Sequence, residues 1–306
     1  MFHPRRNFLP AILESLAALI LFSCATCTQT SCDRSAPETV SETVKIHVLS
    51  TVYPLADVAR QVSAKLSDKV EIESFCENGT DPRDLRLSDQ QKKRAGRADL
   101  LLTSGYPESW AGEAMDSRQQ ALRLLQPDST PTGRLLPDSH GALWLNPQIV
   151  KEMADTVRER LTLLDSKHEV QYREGRDAFL HEVDALDIEF RERLAPLKGR
   201  QFLSLRPTWS ALAERYDLEE IAPVDTDPHR LTDQDVKKLK ATAAEEGIKV
   251  LVIDAALLPA VQRELQQRTN LRLLPLDLLG SSAPDGRSTW IRIMRYNLEQ
   301  LEKGLR

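Results

Sequence analysis

The stretch VQYREGRDAFLHEVDALDIEFRERLAP, residues 170–196, decides how the rest of the chain is read. Phe179, Val183, Leu186, Phe190 and Leu194 recur every three or four residues until Pro196 interrupts the pattern, which predicts one amphipathic helix. A continuous helix of roughly 25 residues is about 40 Å long, enough to run along the back of two small lobes. Only Gly175 weakens it, and a lone glycine costs a helix about 1 kcal/mol without ending it.

On either side of this helix, short apolar runs alternate with helical patterns, the signature of α/β units with largely parallel sheets. Upstream, Ile46–Leu49, Val70–Phe75, Leu100–Thr103 and Leu122–Leu125 read as strands, and Leu55–Leu66, Ser88–Arg97 and Glu108–Ser117 as helices. Asn146 is a good N-cap and Pro147 suits a first helical turn; Val150, Met153, Val157, Leu161 and Leu164 then keep helical spacing. Downstream, Phe202–Leu205, Val250–Ile253 and Arg272–Leu276 read as strands, and Leu231–Glu246, Pro259–Arg268 and Trp290–Lys303 as helices. Gly247 is placed to end one of these helices in the left-handed conformation. In such sheets ligands sit outside the carboxyl ends of the strands, so chemistry is expected there.

With 306 residues, 41% hydrophobic and 28% charged, the chain has an ordinary balance for one large core or two smaller ones. A formal net charge of −5, without a basic run interleaved with aromatics, excludes nucleic acid as partner.

Residues 1–23 read as an export signal: Arg5 and Arg6 precede an apolar stretch from Phe8 to Phe22 that is interrupted by Glu14 and too short to span a bilayer. Arg5-Arg6-Asn7-Phe8-Leu9 also resembles a twin-arginine motif, and either export route ends outside the cytoplasm. Leu21-Phe22-Ser23-Cys24 resembles a bacterial lipobox, making Cys24 the expected lipid attachment point and the protein membrane-anchored. Residues 24–44, rich in Ser, Thr and Glu, suit a disordered tether carrying Cys27 and Cys32, which an oxidising compartment allows to pair. Cys76 ends a strand and is expected to be a small buried hydrophobe.

Ser50–Asp57, Thr80–Leu87, the stretch from Ala98 through Tyr106 to Trp110, Leu143–Pro147, Leu194–Phe202 and Met294–Leu298, taken in this order, resemble the zinc/manganese-type solute-binding proteins of ABC transporters. The resemblance implies two similar α/β lobes, an N-terminal one over 45–169 and a C-terminal one over 197–306, joined by the single long helix over 170–196. It also implies an extracytoplasmic, monomeric carrier that delivers its solute to an ABC permease and its ATPase, with Zn or Mn as cargo by resemblance only and no resident cofactor.

The same resemblance aligns four metal-ligand positions, three of which have changed. Where the family has Asp-Pro-His, this chain has Asp81-Pro82-Arg83; the second histidine's place is Ala142, two before Trp144; the third is Arg206; and the carboxylate survives as Asp277, with Asp254 near the same edge. A guanidinium has no free lone pair and is never neutral, so neither arginine can ligate a metal. At about 4 Å and an effective dielectric of about 20, each repels a unit of ion charge by roughly 4 kcal/mol, enough to defeat one carboxylate. The cleft set is therefore Arg83, Arg206, Asp254 and Asp277, with Asp277 and His140 as weak metal candidates.

Three readings stand open from the residues. Paired arginines grip an anion or a metal chelate; or Arg83 or Arg206 pairs with Asp277 or Asp254 and locks the lobes; or metal binding persists through His140, Asp138, His229 and Asp277. Asp227-Pro228-His229 repeats the letters of the lost loop, in a segment where the family has no ligand, and is read as coincidence. His168 and His181 are expected to be solvated and His47 to be packed in the core. No Gly-rich phosphate loop, nucleophile elbow or His-Glu-x-x-His helix is present, so catalysis is not expected.

Overall fold

The computed structural model describes residues 45–76, 85–103, 121–123, 142–280 and 287–306. The segments 1–44, 77–84, 104–120, 124–141 and 281–286 lie outside them, and with these Cys24, Cys27, Cys32, Arg83, Asp138 and His140.

In the first lobe, β1 (Ile46–Val52) leads directly into α1 (Tyr53–Val62), with Pro54 in the first turn, where its missing N–H costs nothing. β2 (Val70–Cys76), α2 (Asp89–Ala95), β3 (Leu100–Thr103) and β4 (Ala121–Arg123) follow. The four strands form a parallel sheet in the order β2-β1-β3-β4. Ser88 opens α2 through a capping box with Gln91. Cys76 is buried at the end of β2, as expected.

Two long helices follow. α3 (Pro147–Leu164) is capped by Asn146, whose side chain accepts the Gln148 N–H at 3.0 Å. α4 (Glu169–Leu194) has 26 residues, with Tyr172, Phe179, Val183, Leu186, Phe190 and Leu194 buried along one stripe. Pro196 falls in a short 3-10 turn that ends it. Gly175 has a packing reason that spacing could not reveal: a Cβ there would lie 2.3 Å from the carbonyl oxygen of Val62, so α4 crosses the end of α1 at backbone contact.

The second lobe contains β5 (Gln201–Leu203), α5 (Ser210–Arg215), β6 (Glu219–Ile221), α6 (Asp233–Glu245), β7 (Val250–Asp254), α7 (Pro259–Thr269), β8 (Arg272–Leu276) and α8 (Trp290–Leu305). Its parallel sheet runs β6-β5-β7-β8, repeating the layout of the first. α5 and β6 are elements that periodicity did not predict. Gly247 adopts φ 69° just beyond α6, as expected.

One apolar cluster runs without a break from Val48 and Leu100 of the first sheet to Phe202, Val252 and Leu274 of the second, through the buried stripes of α1, α3, α4 and α8. The outer faces have their own smaller clusters, around Leu251 and Leu265 in the second lobe and around Leu101 in the first. No helix among the described residues is long and apolar enough to cross a membrane.

Two histidines differ from expectation. His47 is exposed rather than core, because it is the second residue of β1, where its ring lies 3.5 Å from the Glu71 carboxylate on β2. His168 is not solvated: it sits in the turn before α4, largely covered, with Nδ1 2.6 Å from Asp165 Oδ2, and the Tyr172 hydroxyl donates to the same oxygen at 3.2 Å. His181, on α4, is exposed.

Candidate functional site

The adjacent strands β5, β7 and β8 end along one edge of the second sheet, and each carries a predicted cleft residue at or just past its carboxyl end. β5 leads through Ser204 and Leu205 to Arg206, β7 ends on Asp254, and β8 is followed by Asp277. At this edge lies a cavity of about 250 Å³. Its polar wall includes Arg206, Thr208, Asp227, His229 and Asp254, and its apolar wall includes Leu205, Trp209, Ile253, Leu257, Leu278 and Leu279. Arg206 and Asp254 are thus brought together; Asp277 is not part of the lining.

Arg206 is held by its own lobe. Its Nε donates to the Thr226 carbonyl at 3.2 Å, a terminal nitrogen is 3.5 Å from Asp227 Oδ2, and the Ser204 hydroxyl donates to its backbone carbonyl at 2.8 Å. Asp227 is thus a carboxylate partner of Arg206 from the same lobe. The repeated letters Asp227-Pro228-His229, read as coincidence, form a 3-10 turn on the cavity wall, where Asp227 Oδ1 caps the turn by accepting the His229 N–H at 2.7 Å. That tripeptide was the one signal in the sequence for this part of the wall.

Asp254 Oδ1 accepts the Ala256 N–H at 2.8 Å, which fixes the turn after β7. Asp277 is buried. Its Oδ1 accepts the N–H groups of Leu279 at 3.1 Å and Gly280 at 2.7 Å, and its Oδ2 lies 3.3 Å from Nε of Arg287. Asn297 of α8 brackets its backbone, accepting the Asp277 N–H at 2.6 Å and donating to its carbonyl at 2.8 Å. The surviving carboxylate is thus already engaged by two amides and a guanidinium, and Arg287 also lies over the Tyr296 ring at 4.9 Å. Among the described residues no three His, Cys, Asp or Glu side chains converge so as to hold a metal ion.

The lobes meet beside this site. Ala142 is buried, and its N–H donates to the Thr208 carbonyl at 2.9 Å, joining the position aligned with the family's second histidine to the wall of the second lobe. The Trp144 indole N–H donates to the Leu278 carbonyl at 2.9 Å, and the Trp290 indole N–H donates to the Trp144 carbonyl at 2.7 Å. Thr208 and Trp209 are themselves held by Glu220 of β6, which accepts both their N–H groups at 3.1 Å. Burial pushes the Glu220 carboxyl up to about 7, against the opposing pull of the Ser204 hydroxyl and these amides. Neither Thr208, Trp209 nor Glu220 was singled out from sequence, because a buried carboxylate on a three-residue strand leaves no periodic trace.

Two parallel-sheet lobes backed by one long helix, with a pocket at the strand ends beside their seam, define a solute-binding architecture. The family described as zinc-uptake complex component A, periplasmic, matches residues 48–304, and the chain belongs to it. It is similar to the high-affinity zinc uptake system protein ZnuA of Bacillus subtilis (strain 168), with 21% identity over 284 residues, 85% of this chain and 88% of the relative. It is also similar to the metal ABC transporter substrate-binding lipoprotein SsaB of Streptococcus sanguinis, with 20% identity over 96% of this chain and 99% of that protein. Among solved structures, the periplasmic zinc binding protein TroA from Treponema pallidum superposes with a TM-score of 0.74 at 16% identity, covering 85% of this chain and 99% of the other, which shows the shared fold.

Proposed function

We propose that this protein is the extracytoplasmic solute-binding component of an ABC importer of the zinc/manganese class whose cleft no longer takes a bare divalent ion. The observation that carries the reading is Arg206: a permanent cation stands on the cavity wall, braced by Thr226 and Asp227, at the position that the resemblance aligns with the family's third ligand. The buried Asp277, engaged by Leu279, Gly280 and Arg287, supports it. A guanidinium fixed in this way suits bidentate contact with a carboxylate or phosphate group. The solute class is accordingly an anion or a metal chelate held by Arg206 beside Asp254, with Arg83 as the expected second cation and the apolar wall covering its organic part.

The lipoprotein role named in the Streptococcus relative supports residues 1–23 as an export signal, Cys24 as the lipid-bearing residue and 24–44 as the tether. In this reading the protein works as a monomer with a permease and an ATPase, and catalyses nothing, since arginine at ordinary pH neither gives nor takes a proton.

A second reading, a locked scaffold that carries no solute, is favoured by the direct bonds Ala142–Thr208 and Trp144–Leu278 across the seam. Titration calorimetry of the metal-stripped protein tests the common premise. Zn²⁺ and Mn²⁺ are expected to give no tight site, and one tight site abolished by Asp277→Ala would overturn it.

A further inference from the structure

Glu220 lies outside the cavity lining but accepts hydrogen bonds from Thr208 and Trp209, which belong to it. In register it stands opposite Phe202 of β5, and its half-buried carboxylate reaches the turn between β5 and α5. One oxygen accepts the Thr208 N–H at 3.1 Å, both oxygens lie 3.1 Å from the Trp209 nitrogen, and the Ser204 hydroxyl stands beside them. The turn so gathered does two further things. It places Arg206, Thr208 and Trp209 on the cavity wall, and through the Thr208 carbonyl it receives the Ala142 N–H of the first lobe at 2.9 Å.

We propose that Glu220 is the positioning residue of this wall, fixing the Arg206–Trp209 turn and, through Thr208, the bond to Ala142, so that protonation of this one carboxylate tunes the seam between the lobes. The proposal goes beyond the transport reading and holds whichever solute the pocket takes. The groups that act on Glu220 are the Ser204 hydroxyl and the Thr208 and Trp209 amides, and no charged side chain contributes among the described residues. Burial without a counter-ion favours the neutral form. With a folded pKa of about 7, the group titrates where few other carboxylates do.

The direction follows from hydrogen-bond capacity. Ionised, both oxygens accept and the two amide donors of the turn are satisfied; protonated, one oxygen becomes a donor and its contact with an amide weakens. The turn is therefore tight above about pH 7 and looser below it. Thermodynamic stability runs the other way. Because the folded pKa lies above the ordinary 4.5, the contribution of this group is fully present below about 4.5 and is lost as pH rises through about 7.

Amide spectra of the ¹⁵N-labelled full chain, recorded from about pH 5 to 9, test this. The Thr208 and Trp209 resonances are expected to titrate with a common midpoint near 7, and Ala142 to follow with the same midpoint. In Glu220→Gln all three should lose that transition, and in Glu220→Asp a transition should return at a displaced midpoint. Ser204→Ala, which leaves the carboxylate in place but removes a hydroxyl that favours ionisation, should move the midpoint upward and serves where Glu220→Gln does not fold. Transitions that persist in Glu220→Gln, an Ala142 amide that stays silent while Thr208 titrates, or a midpoint unmoved in Ser204→Ala would each overturn the proposal.

Discussion

The carboxylate of Asp57 accepts the backbone N–H of Trp290 at 2.7 Å, tying the first helix of one lobe to the first turn of the last helix of the other. Thr289, the N-cap of α8, accepts the Arg292 N–H, so this helix start is satisfied partly by its own cap and partly by the opposite lobe. Asp57 is almost wholly buried, with Gln61 Nε2 3.3 Å from its other oxygen. Burial raises its pKa, opposed by the Trp290 amide, Gln61 and Arg60.

Asp57→Ala leaves the Trp290 N–H without this acceptor in a dry place. The expected loss is about 1–3 kcal/mol of unfolding free energy, the usual cost of an orphaned buried donor. Urea denaturation followed by circular dichroism checks it, and a midpoint shift equivalent to less than about 0.5 kcal/mol would contradict the role given to this bond.

Gly175→Ala sets helix propensity against packing. Propensity alone favours alanine by about 1 kcal/mol. A Cβ would meet the Val62 carbonyl oxygen at 2.3 Å and the Gln61 carbonyl oxygen at 2.9 Å, and both are backbone atoms that cannot swing away. Overpacking is expected to win, with a net loss of about 1–3 kcal/mol. Calorimetric melting that showed a gain in Tm would mean that α1 and α4 do not touch there.

Acid sensitivity should centre on Asp187 of α4. It receives Arg215 Nε at 3.1 Å and a terminal Arg215 nitrogen at 2.5 Å, the Tyr216 hydroxyl at 3.1 Å and Arg191 at 3.2 Å. Burial pushes its pKa up, but Arg215, Tyr216 and Arg191 together pull it below the ordinary 3.8. A depressed carboxylate gives stability that is present above its unfolded pKa and lost as pH falls through the folded one. Asp187→Asn should therefore flatten the fall in stability below about pH 4 while lowering stability near neutrality, because Arg215 loses its buried partner. Equal acid slopes for both proteins would contradict this.

Metal-free stability offers a further check on the cleft. Since a ligand that binds only the folded state raises Tm, 1 mM Zn²⁺ or Mn²⁺ should leave the melting temperature of the metal-stripped protein within about 1 °C. A rise of several degrees that vanishes in Asp277→Ala would point to an intact metal site.

What the sequence made legible follows from where the causes lie along the chain. α4 could be read because its buried stripe is local and repeats, and β7 and β8 because apolar runs bounded by turns are local too. α5 and β6 could not: six and three residues are too short for a period, and Glu219-Glu220 reads as solvated surface. Arg206 and Asp277 were picked out by the family resemblance, and the alternation of elements put them, with Asp254, at or just past strand ends. Their partners were not legible, because Asp227 and Arg287 are brought in by folded turns rather than by spacing. His47 and His168 show the same limit, since an apolar neighbourhood in sequence left His47 exposed and a polar one covered His168.

The apolar cluster shared by both sheets gives this bilobal shape an undivided cooperativity. Neither half owns the residues that bury its inner face, so a fragment cut within α4 should fail to fold, and heating the intact chain should give one calorimetric transition instead of two.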